Sequence, residues 1–133
     1  MIGHRPLQEP AVKVFDYIAF LQYIVKMSWK VSYLDAVVEQ EITELPDDIQ
    51  ARLRRIADMI EQLGLAAMRE PYVKHLQGKL WEMRMVGRDG IARAIYVTAS
   101  GQRVVIVRAF RKKSQKTPRG EIELALKRAE QVT

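Results

Sequence analysis

The spacing of apolar residues changes along the chain, from a helical period in the first half to a two-residue period in the second half. In the segment "VFDYIAFLQYIV", Val14, Ile18, Leu21 and Val25 recur at helical spacing, which predicts an amphipathic helix. A membrane span needs about 20 apolar residues, and polar residues interrupt this shorter segment. We therefore expect a packing element or an interaction arm, and no contact with a membrane.

One short strand and two helices are predicted to follow. The segment "WKVSYL" alternates apolar and polar residues, as a half-buried strand does. Asp35 can cap a short helix that reaches about Leu45, where Pro46 closes it. A longer helix begins at Asp47 or Asp48. Its apolar stripe is predicted to consist of Ile49, Leu53, Ile56, Ile60 and Leu63.

Three strands with a two-residue period are predicted in the second half of the chain. They are "LWEMRMV" (80–86), "IARAIYVT" (91–98) and "RVVIVRAF" (103–110), separated by the tight-turn sequences "GRDG" and "ASGQ". Such short turns between successive strands indicate an antiparallel meander. Thr117 is predicted to cap a last helix that has Pro118 in its first position. The inward face of this helix is predicted to consist of Ile122, Ala125, Leu126 and Ala129.

The order of these elements, together with a length of 133 residues, predicts one α+β domain with a small sheet packed against helices. The chain has no cysteine, which excludes disulfides and thiolate metal sites and fits a cytoplasmic protein. With only two histidines, a histidine-based zinc site would need carboxylates to complete it. We expect no metal and no other cofactor.

Positive charge is concentrated in the C-terminal half of the chain. The formal net charge is +6, and residues 69–119 contain 13 Lys or Arg against three acidic residues, a net of +10. The rest of the chain has 9 basic and 13 acidic residues, a net of −4. An anionic partner is therefore expected to bind the sheet region rather than the helices.

Cations lie inside all three predicted strands, at Arg84, Arg93 and Arg108. The meander places the first two strands side by side, so Arg84 and Arg93 can share one face, while Glu82 can pair with Arg84. The segment "FRKKSQKTP" (110–118), at the end of the last strand, adds four positive charges and no acid. Each feature alone is more often structural, because an arginine stem packs on a sheet edge and a basic run is usually a solvated loop. Together they favour a surface that binds a polyanion.

RNA is a polyanion that such a site could also cleave, because its 2′-hydroxyl can attack the adjacent phosphate without a metal. The reaction needs a base for the 2′-proton, fixed positive charge for the transition state and an acid for the leaving 5′-oxygen. Trp81, Tyr96 and Phe110 are candidates for stacking on a nucleobase, although such rings are more often core. His75 is predicted to lie in a loop or short turn, away from the cationic strands.

Three segments of the chain resemble one known family. "REPYVKHLQGKLWEMR", "ARAIYV" and "VVIVRAFRKKSQKTPRGEIELALKRAEQ" are similar to the HigB-like branch of the RelE toxin superfamily, whose members are often described as phage-derived proteins. The most specific parts are "KLWEMR" and "FRKKSQKTP" followed by a Glu-rich helix. The resemblance implies a compact RelE-like domain at 29–133, with N-terminal helices, an antiparallel sheet meander and a C-terminal helix. Residues 1–28 form an N-terminal helical extension outside the family pattern.

The resemblance also implies a function. Proteins of this kind are toxins of type II toxin–antitoxin systems that cut mRNA on the ribosome. A helix-turn-helix, HigA-like antitoxin neutralises them. The expected activity is therefore that of a metal-independent endoribonuclease, an mRNA interferase, with a basic active site on the concave face of the sheet.

Candidate site residues follow from the family's motifs. The catalytic candidates are Arg84, Arg93, Lys112 and Lys113, which match the arginine of the "LWELR" element, the arginine of the next strand and the "KK" after the aromatic. The two arginines are expected to stabilise the transition state rather than the fold. The expected RNA-binding residues are Lys79, Arg108, Phe110, Arg111 and Lys116. Some toxins of this kind use a late histidine, and this chain has none after His75, so proton transfer must fall to Lys, Arg, Tyr or Glu.

Two other classes of function remain open on the sequence. A phage-derived relative could bind RNA, the ribosome or a protein partner without cutting. A DNA-binding regulator is less well supported, because the helices are acidic or mixed in charge while the sheet region is basic.

Overall fold

The computed structural model describes residues 13–68 and 72–133, without the side chains of residues 24–27. In this part of the chain the helices are α1 (Val14–Met27), α2 (Ala36–Thr43), α3 (Asp47–Leu63) and α4 (Arg119–Ala129). The strands are β1 (Lys30–Tyr33), β2 (Val73–Gln77), β3 (Leu80–Val86), β4 (Ile91–Ala99) and β5 (Arg103–Arg111). A short 3₁₀ turn (Leu65–Ala67) follows α3. The predicted α+β class is confirmed.

The strands form a single mixed sheet in the order β1-β5-β4-β3-β2. Strands β3, β4 and β5 are the predicted antiparallel meander, and their ends agree with the predicted ones to within a residue. Strand β1 pairs in parallel with β5, from Lys30 opposite Arg103 to Tyr33 opposite Ile106. A parallel pair needs a long connection between its strands, and the whole chain from α2 to β4 supplies it.

Strand β2 is not among the predicted strands, since the sequence places His75 in a loop or short turn. It pairs antiparallel with β3 and joins it through a tight turn in which Gly78 has φ +55°, a value that glycine adopts at little cost. The alternation of apolar and polar residues along β2 is weak, because β2 is an edge strand in which only Val73 is buried. His75 therefore lies in a strand, with its ring 4.9 Å from that of Trp81.

Helix α3 packs on one face of the sheet. Its buried stripe agrees with the predicted one except at the last residue, Leu63, which is exposed because the packed part of the helix ends one turn earlier. The turn between β3 and β4 touches the start of α3 so closely that a Cβ on Gly87 would lie 2.5 Å from Cγ1 of Ile49. Asp48 accepts a hydrogen bond from the Arg88 backbone N–H at 2.6 Å, which fastens the turn to the helix and lowers the pKa of the Asp48 carboxyl.

Helix α4 packs on the opposite face of the sheet. As predicted, Ala125 and Ala129 are buried, and Ile122 and Leu126 are partly buried beside them. The helix begins at Arg119 after Pro118, and no side chain caps it. The predicted cap is therefore wrong, because the Thr117 hydroxyl is engaged by the sheet instead.

A β-bulge places two successive residues of β5, Val107 and Arg108, on the α4 side. In the pairing of β4 with β5, Ile95 lies opposite Arg108 and Tyr96 lies opposite Ile106, so Val107 is an extra residue. A bulge of this kind re-aims the side chains that follow it. Here Val107 joins the core under α4, and Arg108 projects on the same side.

Helix α2 covers the part of the β5 edge that β1 does not reach. Glu41 of this helix accepts a hydrogen bond from the Ala109 backbone N–H at 3.2 Å and forms ion pairs with Arg108 and Arg128, each at 2.8 Å. Arg108 is also paired with Glu121 of α4. Burial raises the pKa of Glu41, but the bonds from Arg128 and Ala109 and the two positive charges outweigh it and leave the pKa below its ordinary value.

Helix α1 lies outside both cores. Its described side chains are all exposed, and its large apolar residues are between 44% and 76% exposed: Val14, Phe15, Tyr17, Ile18, Phe20, Leu21 and Tyr23. Among the described residues, no helix combines the length and the apolar character needed to cross a membrane. Residues 1–12 of the predicted N-terminal extension lie outside the described residues.

The lowered pKa of Glu41 predicts how acid weakens the fold. The unfolded chain takes up a proton near the ordinary value of 4.5, whereas the folded chain keeps the charge to lower pH. The stability that this carboxylate contributes is therefore complete above about pH 5 and is lost as the pH falls through the lowered pKa. Glu41→Gln should cost about 1–2 kcal/mol at pH 7 and make the loss of stability below pH 5 less steep.

Urea unfolding between pH 3 and pH 7 measures both effects. Glu44→Gln is the matched control, because Glu44 is the C-cap residue of the same helix and its side chain is exposed. Equal pH profiles for the two variants would contradict the role given to Glu41.

Candidate functional site

The end of the sheet that α4 leaves uncovered carries a group of charged side chains. Arg84 lies directly opposite Arg93 in the register of β3 and β4, which confirms that they share a face. Lys74 of β2 lies opposite Glu82, and Phe110 of β5 lies opposite Arg93, so these residues project on the same side. We refer to Lys74, Arg84, Arg93 and Lys112 together as the basic face.

Arg93 is the buried member of the basic face, and Glu82 is buried beside it, with only 6% and 7% of their surfaces exposed. The Thr117 hydroxyl donates a hydrogen bond to Glu82 Oε2 at 2.7 Å and accepts one from Arg93 Nη1. Arg93 Nη2 donates to the carbonyl oxygen of Gln115 at 2.5 Å, and its Nε lies 3.8 Å from Glu82 Oε1. These four residues, the anchor network, hold the loop at 112–118 against the sheet. Arg93 therefore has a part in the fold that the sequence did not predict.

Lys112 extends the sheet by one residue and joins the basic face. Its backbone N–H donates to the Ile91 carbonyl oxygen at 2.7 Å. Burial lowers the pKa of the Lys112 ammonium, and the nearby charges of Arg93 and Arg84 lower it further, with Glu82 acting in the opposite direction. Lys112 therefore gives up its proton more readily than an ordinary lysine.

The two lysines of the "KK" pair point to different places. Lys113 lines a cavity of about 370 Å³ at the outer edge of β5, together with Glu41, Glu44 and Arg111. Arg111 lies opposite Ala92, on the α3 side of the sheet. The structure thus brings Lys112 together with Arg84 and Arg93, and it separates Lys113 and Arg111 from them.

Arg108 is already occupied by carboxylates. Its side chain is 21% exposed and is paired with Glu41 and Glu121, and the hydrogen bond with Glu121 raises its pKa. Its guanidinium also lies 5.6 Å from the centre of the Phe110 ring, which is half-buried against the core under α4. Little of the Arg108 charge is left for an external ligand.

The remaining predicted residues lie at the margins. Lys79 is in the turn before β3, about 16 Å along the strand from Arg84 at roughly 3.3 Å per residue. Lys116 is exposed in the loop, and its carbonyl oxygen accepts a hydrogen bond from the Ser114 hydroxyl at 2.7 Å.

Two of the aromatic candidates do not reach the basic face. Trp81 and Tyr96 are opposite each other in the register and project on the α3 side. Burial there raises the pKa of Tyr96 to about 12. Phe110 is the one of the three aromatic candidates on the same side as Arg93.

Sequence reasoning missed Lys74, Gln115 and Thr117. The signal for Lys74 was the Gly78–Lys79 pair, which is good two-residue turn chemistry between two short segments and indicates a hairpin. Thr117 precedes a proline and a helix, so its position suits a helix cap as well as a member of the anchor network. No local signal separates the two roles, since the partners Glu82 and Arg93 are 35 and 24 residues away.

A mixed sheet with α2 and α3 on one face, α4 on the other and a basic end that α4 leaves uncovered defines a small α+β protein. The family model of the phage-derived protein Gp49-like family matches residues 40–130, and the chain belongs to this family. The family is associated with RelE-like toxins of toxin–antitoxin systems. A comparison with curated proteins gives no match.

The anchor network generates a stability prediction. Arg93→Ala removes the positive charge beside the buried Glu82 carboxylate and two hydrogen bonds to the loop. Breaking a buried pair in this way costs about 3–5 kcal/mol, measured as the change in the free energy of unfolding in urea.

Arg84→Ala is the matched control for this experiment. Arg84 lies directly opposite Arg93 but is exposed and has no ion pair with any described residue, so its loss should cost less than about 0.5 kcal/mol. Similar losses in the two variants would show that the network does not hold the loop.

Proposed function

We propose that this protein is the toxin of a type II toxin–antitoxin system and that it cuts mRNA on the ribosome as a metal-independent endoribonuclease. Membership of a family associated with such toxins supports the class. The observation that carries the proposal is the basic face, where Arg84 and Lys112 have no ion pair with any described residue and lie beside the anchored loop.

The proposed reaction is an attack of the RNA 2′-oxygen on the adjacent phosphorus. The new P–O2′ bond forms as the P–O5′ bond breaks, which leaves a 2′,3′-cyclic phosphate and a 5′-hydroxyl. Neutral Lys112 takes the 2′-proton, and Arg84 stabilises the charge that develops on the phosphoryl oxygens. Lys74, which lies on the same side of the sheet as Glu82 and Arg84, gives a proton to the leaving 5′-oxygen.

In this proposal, the main role of Arg93 is to position the loop that carries Lys112. Its hydrogen bonds to Gln115 and Thr117 keep the loop in place, and its charge helps to lower the pKa of Lys112. Arg111, Lys113 and Lys116 are exposed around the loop and would contact flanking phosphates. Lys79 and Arg108 contribute least, because one is remote and the other is already paired.

The proposed partners are mRNA on the ribosome and a helix-turn-helix antitoxin encoded nearby. The association of the family with toxin–antitoxin systems supports the second partner. Co-expression with the neighbouring helix-turn-helix protein should restore growth and recover a complex of the two. Growth inhibition that such a neighbour leaves unchanged would argue against this pairing.

The class of activity is tested by inducing the protein in cells and mapping mRNA ends. New ends that carry 2′,3′-cyclic phosphates and appear only in translated messages are expected. Growth inhibition without new ends would favour the alternative of a phage-derived module that binds RNA or the ribosome without cutting.

Substitutions on the basic face give a quantitative prediction. Lys112→Ala and Arg84→Ala should each lower the rate of cleavage by about 100-fold or more, because each removes a positioned group from the transition state. Lys79→Ala, which removes the same charge as Lys112→Ala at the remote end of β3, should change the rate by less than about threefold. Cleavage of ribosome-bound mRNA by the purified variants measures this difference.

The pH profile separates proton transfer from simple charge. A lysine base acts in its deprotonated form, so the rate should rise with pH through the lowered pKa of Lys112. Lys112→Arg keeps the positive charge but cannot supply a neutral amine, so its residual rate should lack this rise. An unchanged profile in Lys112→Arg would assign the base to another group.

A further inference from the structure

A second cavity adjoins the basic face at the edge of the sheet. It has a volume of about 350 Å³, and the described residues that line it are Arg52, Tyr72, Arg84 and Val86. Arg84 belongs to the basic face, whereas Arg52 belongs to α3 on the opposite side of the sheet. The cavity therefore passes around the sheet edge and continues the basic face.

Among the described residues, strand pairing at this edge ends beside the cavity. Strand β2 begins at Val73, opposite Met83, and beyond it the Arg84 backbone N–H donates only to the Tyr72 carbonyl oxygen at 2.8 Å. The last two residues of β3 have no strand partner on this side among the described residues. Arg52 can thus share one cavity with a side chain of the sheet's other face.

The side chains that line the cavity are of two kinds, positively charged and apolar or aromatic. Arg52 and Arg84 form no ion pair with any described residue, and a guanidinium presents a planar fork of donors that fits phosphate oxygens. Tyr72 is 46% exposed and Val86 is 50% exposed, so a ring and an apolar surface are open beside these cations. An aromatic ring beside two positively charged side chains suits a nucleobase joined to a phosphate.

We propose that Arg52, Tyr72 and Arg84 form a nucleotide subsite that extends the basic face. Arg52 holds the phosphate that neighbours the scissile one, beside Arg84 on the scissile phosphate itself, and the attached base stacks on Tyr72. The volume falls within the range of about 300–1,000 Å³ that small-molecule sites occupy. This inference rests on the proposed function, because it assumes that the basic face binds RNA.

The test uses a fluorescein-labelled five-nucleotide 2′-O-methyl RNA, which lacks the attacking hydroxyl and so reports binding alone. Arg52→Ala should weaken binding about tenfold and reduce the slope of log affinity against log salt by about 0.7–1. Arg54→Ala is the matched control, since Arg54 is an exposed arginine on the other flank of the buried Leu53 of α3. It should change neither quantity.

A second substitution separates the base from the phosphate. Tyr72→Leu should weaken binding about tenfold at every salt concentration and leave the slope unchanged, because stacking is not electrostatic. Thermal unfolding of each variant checks that the fold is retained.

The outcomes distinguish the subsite from the function it extends. Wild-type binding with identical behaviour of Arg52→Ala and Arg54→Ala would overturn the subsite and leave the basic face intact. An effect of Arg52→Ala without one of Tyr72→Leu would overturn the base-stacking part. Failure of the wild-type protein to bind the oligonucleotide, alone or with ribosomes, would overturn both proposals.

Discussion

The hydrogen bonds among Arg93, Thr117 and Glu82 fix the loop that follows β5, and the placement of Lys112 depends on them. A buried ion pair adds little net stability compared with apolar packing, because both charges lose their hydration. The ion pair nevertheless selects one loop conformation, because the other conformations cost free energy. Any loop conformation that withdraws Thr117 and Gln115 leaves a buried arginine and a buried carboxylate short of partners, so one conformation is strongly preferred.

The arginines of this protein fall into two groups that a charge count does not separate. Arg93, Arg108 and Arg128 each meet a carboxylate and connect strands to helices or to the loop. Arg52 and Arg84 meet none among the described residues. The net charge of +10 over residues 69–119 therefore overstates what a ligand encounters, because part of the positive charge stabilises the fold. The uncompensated part is concentrated at one end of the sheet.

Local patterns predicted those elements whose burial repeats regularly along the chain. The ends of β3, β4 and β5 follow from an uninterrupted two-residue period, and the stripe of α3 follows from its helical period. Strand β2 was not predicted, because an edge strand buries too few side chains to show a two-residue period. The parallel pairing of β1 with β5 was not predicted either, because it joins segments about 70 residues apart. Within the site, shared placement of Arg84 and Arg93 was predictable from the hairpin, whereas the burial of Arg93 depends on Glu82 and Thr117 and has no local signature.

The role that Glu82 has in the anchor network also determines what Lys112 can do. A carboxylate free to pair with Lys112 would keep its ammonium protonated, but Glu82 is bonded to Thr117 and lies beside Arg93. Burial, together with repulsion from Arg93 and Arg84, therefore prevails and the pKa of Lys112 falls. A bound phosphate reverses this balance, because its negative charge stabilises the protonated amine. In the proposed reaction, the cations that help to lower the pKa of Lys112 also attract the phosphate. The negative charge of that phosphate then helps Lys112 to hold the proton it takes. Coupling of this kind requires no histidine, which is consistent with a family member that has none after His75.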